Sequence, residues 1–196
     1  MTYITLFISA VFINNIVLTR FLGVCPFIGV SKKRNQALAM GITVTIVVLF
    51  SSIITYGMYL FILQPLNLEY LRIIAFILVI ASLVQFSEII IKSFFPKIYD
   101  DFGVFLPLIT TNCLVLGVAL TNLTLSSGIE NFTFFHVVIH SLGVSAGYTL
   151  VIFIFSAIRE SLTKAPVSKH FSNVPISLIV AAIMAMAFSG FAGILS

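Results

Sequence analysis

The sequence predicts an all-α integral membrane protein of six transmembrane helices, built as two inverted three-helix repeats with helices 1 and 4 interrupted. Composition is the first observation behind this. Of 196 residues, 60% are hydrophobic and only 8% charged, and the mean hydropathy is +1.21. Soluble domains carry about 25% charged residues, so there is too little polar side chain here to coat a globule in water. The second observation is length: a spanning helix needs about 20 mainly apolar residues, and six apolar segments of that order fill the chain. The third is the distribution of its basic residues, which alternates from one connection to the next.

Helix 1 is expected over residues 3–29, with no basic run before it and no small-residue cleavage site after it, and so reads as a retained span. At about 1.5 Å per residue it would be about 40 Å long, more than about 30 Å of hydrocarbon requires. It is interrupted by Asn14, Asn15, Arg20, Gly23, Pro26 and Gly29. Helix 2 follows over 37–63 and ends in the turn Gln64-Pro65-Leu66-Asn67. Helix 3, over 68–91, carries Gln85 and Glu88 near its end. Helix 4, over 102–123, holds Pro107 and the polar run Thr110-Thr111-Asn112 near its centre, and Ser126-Ser127-Gly128 closes it. Helix 5, over 132–158, contains His136 and His140 and a GxxxG pair, Gly143 and Gly147. Helix 6 occupies 176–195.

Eight of the ten basic residues sit in alternate connections: Lys32, Lys33 and Arg34, then Lys92 and Lys97, then Arg159, Lys164 and Lys169. The positive-inside rule puts these three connections in the cytoplasm and both termini outside. The net charge of +4 therefore determines topology and does not indicate a nucleic-acid partner. Three helices per half is an odd number, so related halves would be inverted. The expected division is a single membrane domain, 1–196, with repeats of about 1–97 and 98–196. Asn15-Ile16-Val17-Leu18 in helix 1 is echoed by Asn112-Cys113-Leu114-Val115-Leu116 in helix 4.

Polar, helix-breaking segments at membrane depth are tolerated only against protein or a water-filled cavity. Paired interruptions in two halves are the best sequence pointer to a functional site. The chain's two cysteines, Cys25 and Cys113, fall on the two interrupted helices. A single cysteine in a membrane helix is usually a small apolar filler, but this pairing points to a joint role. Two thiolates are half the ligand set of an iron–sulfur cluster, which would require a second chain or copy. A disulfide switch and a two-coordinate soft-metal site such as copper(I) are the alternatives. Glu88 is an intramembrane carboxylate, functional by default, although Lys92 four residues on offers a plain ion pair. His136 and His140 have no third ligand in reach and read as interfacial polar residues. Gly143 and Gly147 read as a close-packing surface. Arg20 would be costly facing lipid and needs an anionic group, a carboxylate or a helix terminus.

The stretches Asn14-Asn15-Ile16-Val17-Leu18, Phe21-Leu22-Gly23-Val24-Cys25-Pro26-Phe27-Ile28-Gly29, Phe105-Leu106-Pro107-Leu108-Ile109-Thr110-Thr111-Asn112-Cys113 and Ala157-Ile158-Arg159-Glu160 resemble the RnfA/NqrE family of membrane subunits, across essentially the whole chain. The Rnf version, from the ion-translocating ferredoxin:NAD+ oxidoreductase, is the more similar; an NqrE-type component of the sodium-pumping NADH:quinone oxidoreductase is the alternative. The resemblance implies a homologous partner of opposite topology, RnfE-like, and further Rnf subunits (B, C, D and G). It implies a [2Fe–2S] cluster shared between the two homologous chains, with Cys25 and Cys113 as this chain's ligands and no flavin on the chain. Enzyme activity would belong to the complex, in a bacterial inner membrane, and couple electron transfer to Na+ or H+ movement. Asn15, Thr110, Thr111, Asn112 and Glu88 are the candidate ion-path residues. A small inverted-repeat secondary transporter without redox function is the competing class.

Overall fold

A computed structural model describes residues 3–30, 34–65, 69–94, 112–128, 133–162 and 174–190, and every regular element among them is helical. Helix α1 (Tyr3–Ile8) runs straight into a π-helical turn, Ser9–Ile13. Two short helices follow, α2 (Ile16–Arg20) and α3 (Val24–Val30). Helix α4 (Arg34–Met58) continues into a second π-helical turn, Tyr59–Leu63. A 3-10 turn, Glu69–Leu71, leads into α5 (Arg72–Phe94). The remaining helices are α6 (Cys113–Gly128), α7 (Phe134–Leu162) and α8 (Val174–Ser189).

Each of the six predicted segments contains an apolar helix. Two runs, Gln36–Leu63 with 28 residues and Phe134–Leu162 with 29, are long and apolar enough to cross a membrane by themselves. Helix α6 extends through Ser126 to Gly128, and α7 continues through Arg159 and Glu160 to Leu162. Turn composition and charge suggest earlier ends. Ser is only mildly unfavourable in a helix, and Arg and Glu are good helix formers, so the backbone ladder continues past the apolar run. Helix α8 is α-helical to Ser189, and the rest of the predicted sixth helix, 191–195, lies outside the described residues.

Helix α7 is the axis of the fold. It runs antiparallel to α4: Gly41 faces Thr149, and Arg34 pairs with Glu160 at 2.7 Å. It runs parallel to α1, since Tyr3 packs its ring 4.8 Å from that of His136, Ala10 meets Gly143 and Val11 meets Gly147. These approaches explain the GxxxG pair. A Cβ on Gly143 would sit 3.1 Å from the Phe7 carbonyl oxygen, and one on Gly147 3.0 Å from that of Val11. Only a residue without Cβ admits the neighbouring backbone so closely.

The core holds Tyr148, Phe76, Phe155, Met40, Leu114 and Ile152, all fully buried. The polarity of the surface is inverted relative to a soluble protein. Phe61, Tyr70, Leu78 and Phe50 are largely exposed, whereas Asn15, Asn112, Asn122, Ser141 and Ser145 are buried. Exposed apolar side chains in this number call for lipid or a partner chain to cover them.

Candidate functional site

Helix 1 breaks where its asparagines predict. The π turn ends with the Asn14 N–H donating to the Ser9 carbonyl at 2.8 Å. Asn15 then leaves helical geometry and caps α2, its Oδ1 accepting from the Val17 N–H at 3.2 Å. Its Nδ2 donates to the Val11 carbonyl at 3.0 Å, so one side chain satisfies groups on both sides of the break. An Asn is suited to this because it carries donor and acceptor on one short side chain. Asn112 repeats the device in the second half of the chain: its Oδ1 accepts from the Leu114 N–H at 3.0 Å at the start of α6. Both asparagines are at most 5% exposed.

A second break follows α2. Phe21 lies in the left-handed region with φ 53°, and Gly23 has φ 83°. Such values are costly for most L-residues and free for glycine. This turn aims the Gly23 N–H at Cys113, and the nitrogen lies 2.9 Å from Sγ. Cys25, two residues after Gly23, lies in the first turn of α3. Cys113 is the first residue of α6, and both cysteines are free and exposed.

The depth of this arrangement follows from α7. Gly23 packs against Tyr148 and Asn112, and Tyr148 is the middle residue of Phe134–Leu162. At about 1.5 Å per residue it stands about 21 Å from either end of that helix. The Cys113 sulfur, bonded to Gly23, therefore lies midway along the longest helix. Tyr148 and Asn112 both pack against Gly23, and neither Tyr148 Oη nor Asn112 Nδ2 has a hydrogen-bond partner among the described residues.

Thr110 and Thr111 lie outside the described residues, as does the Glu88 side chain, although α5 carries Glu88 on its backbone. His136 and His140 are buried, at 9% and 5% exposure, where the sequence suggests an interface. Helix packing accounts for this: His140 Nδ1 bonds Asn122 Oδ1 at 2.7 Å, and Asn122 Nδ2 donates to Ser141 Oγ at 3.3 Å. His136 Nδ1 accepts from the Thr133 N–H at 3.1 Å. A cavity of about 500 Å³ opens beside the first break, lined by Ser9, Asn14, Thr19, Arg20, Thr121 and His140. Arg20 ends α2, where the partial negative charge of a helix C-terminus favours a cation.

Both cysteines and both asparagines stand out in the sequence, whereas Gly23 as a donor and Tyr148 as its neighbour do not. A lone tyrosine midway along an apolar helix is the available signal for the latter.

The model of the family described as "Rnf-Nqr subunit, membrane protein" matches residues 3–195. The chain belongs to the Rnf-Nqr family. It is 50% identical over 193 residues, covering 98% of each chain, to the A-type subunit of the Na(+)-translocating ferredoxin:NAD(+) oxidoreductase complex of Acetobacterium woodii. It is also 47% identical over 193 residues to the A-type subunit of the ion-translocating oxidoreductase complex of Aeromonas salmonicida, covering 98% of this chain and 97% of that one. The Aliivibrio salmonicida protein of the same name is 46% identical over 192 residues, with the same coverage. Within this Rnf-Nqr chain, the paired asparagine caps and the Gly23–Cys113 contact are the features that gather polar chemistry at mid-helix.

Proposed function

We propose that this chain is the A-type membrane subunit of an ion-translocating ferredoxin:NAD+ oxidoreductase complex in a bacterial inner membrane. In this reading Cys25 and Cys113 hold one side of a [2Fe–2S] cluster, and a homologous chain of opposite topology supplies two more cysteines. The observation that carries it is the Gly23–Cys113 hydrogen bond, which brings the turn before Cys25 against Cys113 at the midpoint of α7.

The donor set fits such a group. Both ligands are soft thiols suited to iron–sulfur chemistry, and both are exposed, so a second chain can reach them. Among the described residues no three His, Cys, Asp or Glu side chains gather to close a metal site within the chain. The full sequence has two cysteines, so in this reading the other two cysteine ligands come from the partner chain. When bound, the cluster supplies a one-electron carrier site at mid-membrane.

The chain's own residues do the positioning. The Gly23 amide orients Cys113 Sγ, and the Asn15 and Asn112 caps fix the starts of α2 and α6. Gly143 and Gly147 let the first break press against α7. The matching caps support two related halves, and so a six-helix inverted repeat. The cavity beside the first break is lined by Asn14, Thr19 and Arg20, which supports the ion-path reading. Asn15, Thr110, Thr111, Asn112 and Glu88 are the ion-path residues of this proposal, for Na+ or H+. The Arg34–Glu160 end of α7 would face the cytoplasm, and the Tyr3–His136 end, with both termini, the outside.

The test is to purify the intact complex with Cys25→Ser or Cys113→Ser in this chain. Loss of the [2Fe–2S] paramagnetic signal in each, with all subunits still present, is expected. A cluster at full occupancy in both single variants would refute the ligand assignment.

A further inference from the structure

Arg20 is exposed at the end of α2 and takes part in no ion pair or hydrogen bond among the described residues. A guanidinium at membrane depth is costly unless an anionic or aqueous group meets it. Helix α2 has five residues, and a single turn supplies only part of that compensation from its dipole. Arg20 lines the cavity of about 500 Å³ bounded by α1, α2, α6 and α7, and no carboxylate lines it among the described residues.

The depth of the cavity follows from two helices. His140 precedes Tyr148, the middle of α7, by eight residues, and Thr121 follows Cys113 by eight on α6. Both lining residues therefore stand about 12 Å from the mid-helix level. With that level at the bilayer centre, the hydrocarbon ends about 15 Å away. The cavity lies at that margin, on the Phe134 side, where a side chain as long as arginine reaches the headgroups.

The walls offer acceptors as well as the cation. Thr19 and Thr121 donate their hydroxyl protons to the Asn15 and Gly117 carbonyls, each at 2.8 Å, which leaves their oxygens as acceptors. Asn14 Nδ2 donates to Ser9 Oγ at 3.1 Å, so Asn14 Oδ1 is a third acceptor. A carboxylate from a neighbouring chain brings acceptors only, and would leave these oxygens unmatched. A phosphodiester whose alcohol carries hydroxyls brings an anion for Arg20 and donors for the oxygens. Its single negative charge balances one guanidinium. Exposed Ile8 and Phe21, next in the chain to the lining residues Ser9 and Arg20, offer apolar surface to acyl chains.

We propose that this cavity binds the headgroup of an anionic phospholipid of the phosphatidylglycerol class, with the phosphodiester on Arg20 and the headgroup hydroxyls on Thr19, Thr121 and Asn14. The phosphate also cancels the guanidinium charge, which would otherwise repel a cation from the same cavity. The cluster ligands proposed above do not depend on this site.

The experiment titrates the delipidated intact complex with phosphatidylglycerol and counts bound lipid by native mass spectrometry. Arg20→Gln should lose a bound phosphatidylglycerol, its affinity at this site falling about fivefold or more, and Arg20→Lys should retain it. If Arg20→Gln fails to assemble, the parent and Thr121→Val are titrated with phosphatidylmethanol, a phosphodiester lipid without hydroxyls. The parent should bind it about threefold more weakly than phosphatidylglycerol, and Thr121→Val should narrow that gap. Equal phosphatidylglycerol counts in the parent and Arg20→Gln would overturn the inference, as expected if another subunit's carboxylate holds Arg20. Equal parental affinity for the two lipids would overturn it as well. So would displacement of the lipid by glycerophosphoglycerol, the same headgroup without acyl chains, at the lipid's own concentration.

Discussion

The backbone amide of Gly23 donates to Cys113 Sγ across 2.9 Å, joining the turn after α2 to the first residue of α6, 90 residues on in the chain. The contact depends on a backbone shape, φ 83° at Gly23, that few other residues adopt. Gly23→Ala should therefore both strain the turn, by about 1–2 kcal/mol, and press a Cβ to 3.3 Å from Asn112 Oδ1. Thermal unfolding of the purified complex should show a lowered midpoint, with a perturbed Cys113 environment. Parental stability in Gly23→Ala would mean that the turn is not constrained as described.

The two asparagine caps are alike in position but not in what their loss removes. Asn15→Ala deletes the cap on Val17 and the Nδ2 bond to Val11. Asn112→Ala deletes only the cap on Leu114, because its Nδ2 is unpartnered. Loss of an N-cap costs about 0.5–2 kcal/mol, and the further buried bond about 1 kcal/mol. Asn15→Ala should be the more destabilising of the two by thermal or denaturant unfolding. The reverse order would contradict the assigned bonds.

Glycines in one protein should respond in opposite ways to the same methyl group. A Cβ on Gly147 meets Asn15 Nδ2 at 3.0 Å and the Val11 carbonyl at 3.0 Å, whereas one on Gly57 in α4 meets nothing within 4 Å. Gly147→Ala must move the helix 1 backbone, an overpacking effect of about 1–3 kcal/mol. Gly57→Ala should be neutral or stabilising by up to about 1 kcal/mol, from helix propensity. Melting curves of the two variants test this directly.

Much of the fold is legible in the sequence because lipid imposes a coarse rule. Apolar runs mark six segments that each hold an apolar helix, Asn14-Asn15 mark the break in the first, and Asn112 caps the start of α6, since exposed polar backbone is not tolerated in hydrocarbon. Other features are hidden for physical reasons. Hydropathy does not distinguish Ile42, which is exposed, from Val44, which is fully buried, because lipid and core are equally apolar. Composition places the helix ends before Gly128 and Leu162, where continuing the backbone ladder outweighs it. The Gly23–Cys113 bond depends on dihedral angles and on packing between the halves, neither of which any local pattern encodes. Tyr148 gains its significance only from the neighbours that this packing supplies.

The central claim is that Cys25 and Cys113 form half of a site. The most direct measurement is iron content and the [2Fe–2S] paramagnetic signal of this chain purified alone and purified with its homologous partner. The account predicts no cluster on the chain alone and two iron atoms per heterodimer, lost when Cys25 and Cys113 are both replaced by Ser. A full cluster on the isolated chain, or one retained in the heterodimer without these two cysteines, would contradict it.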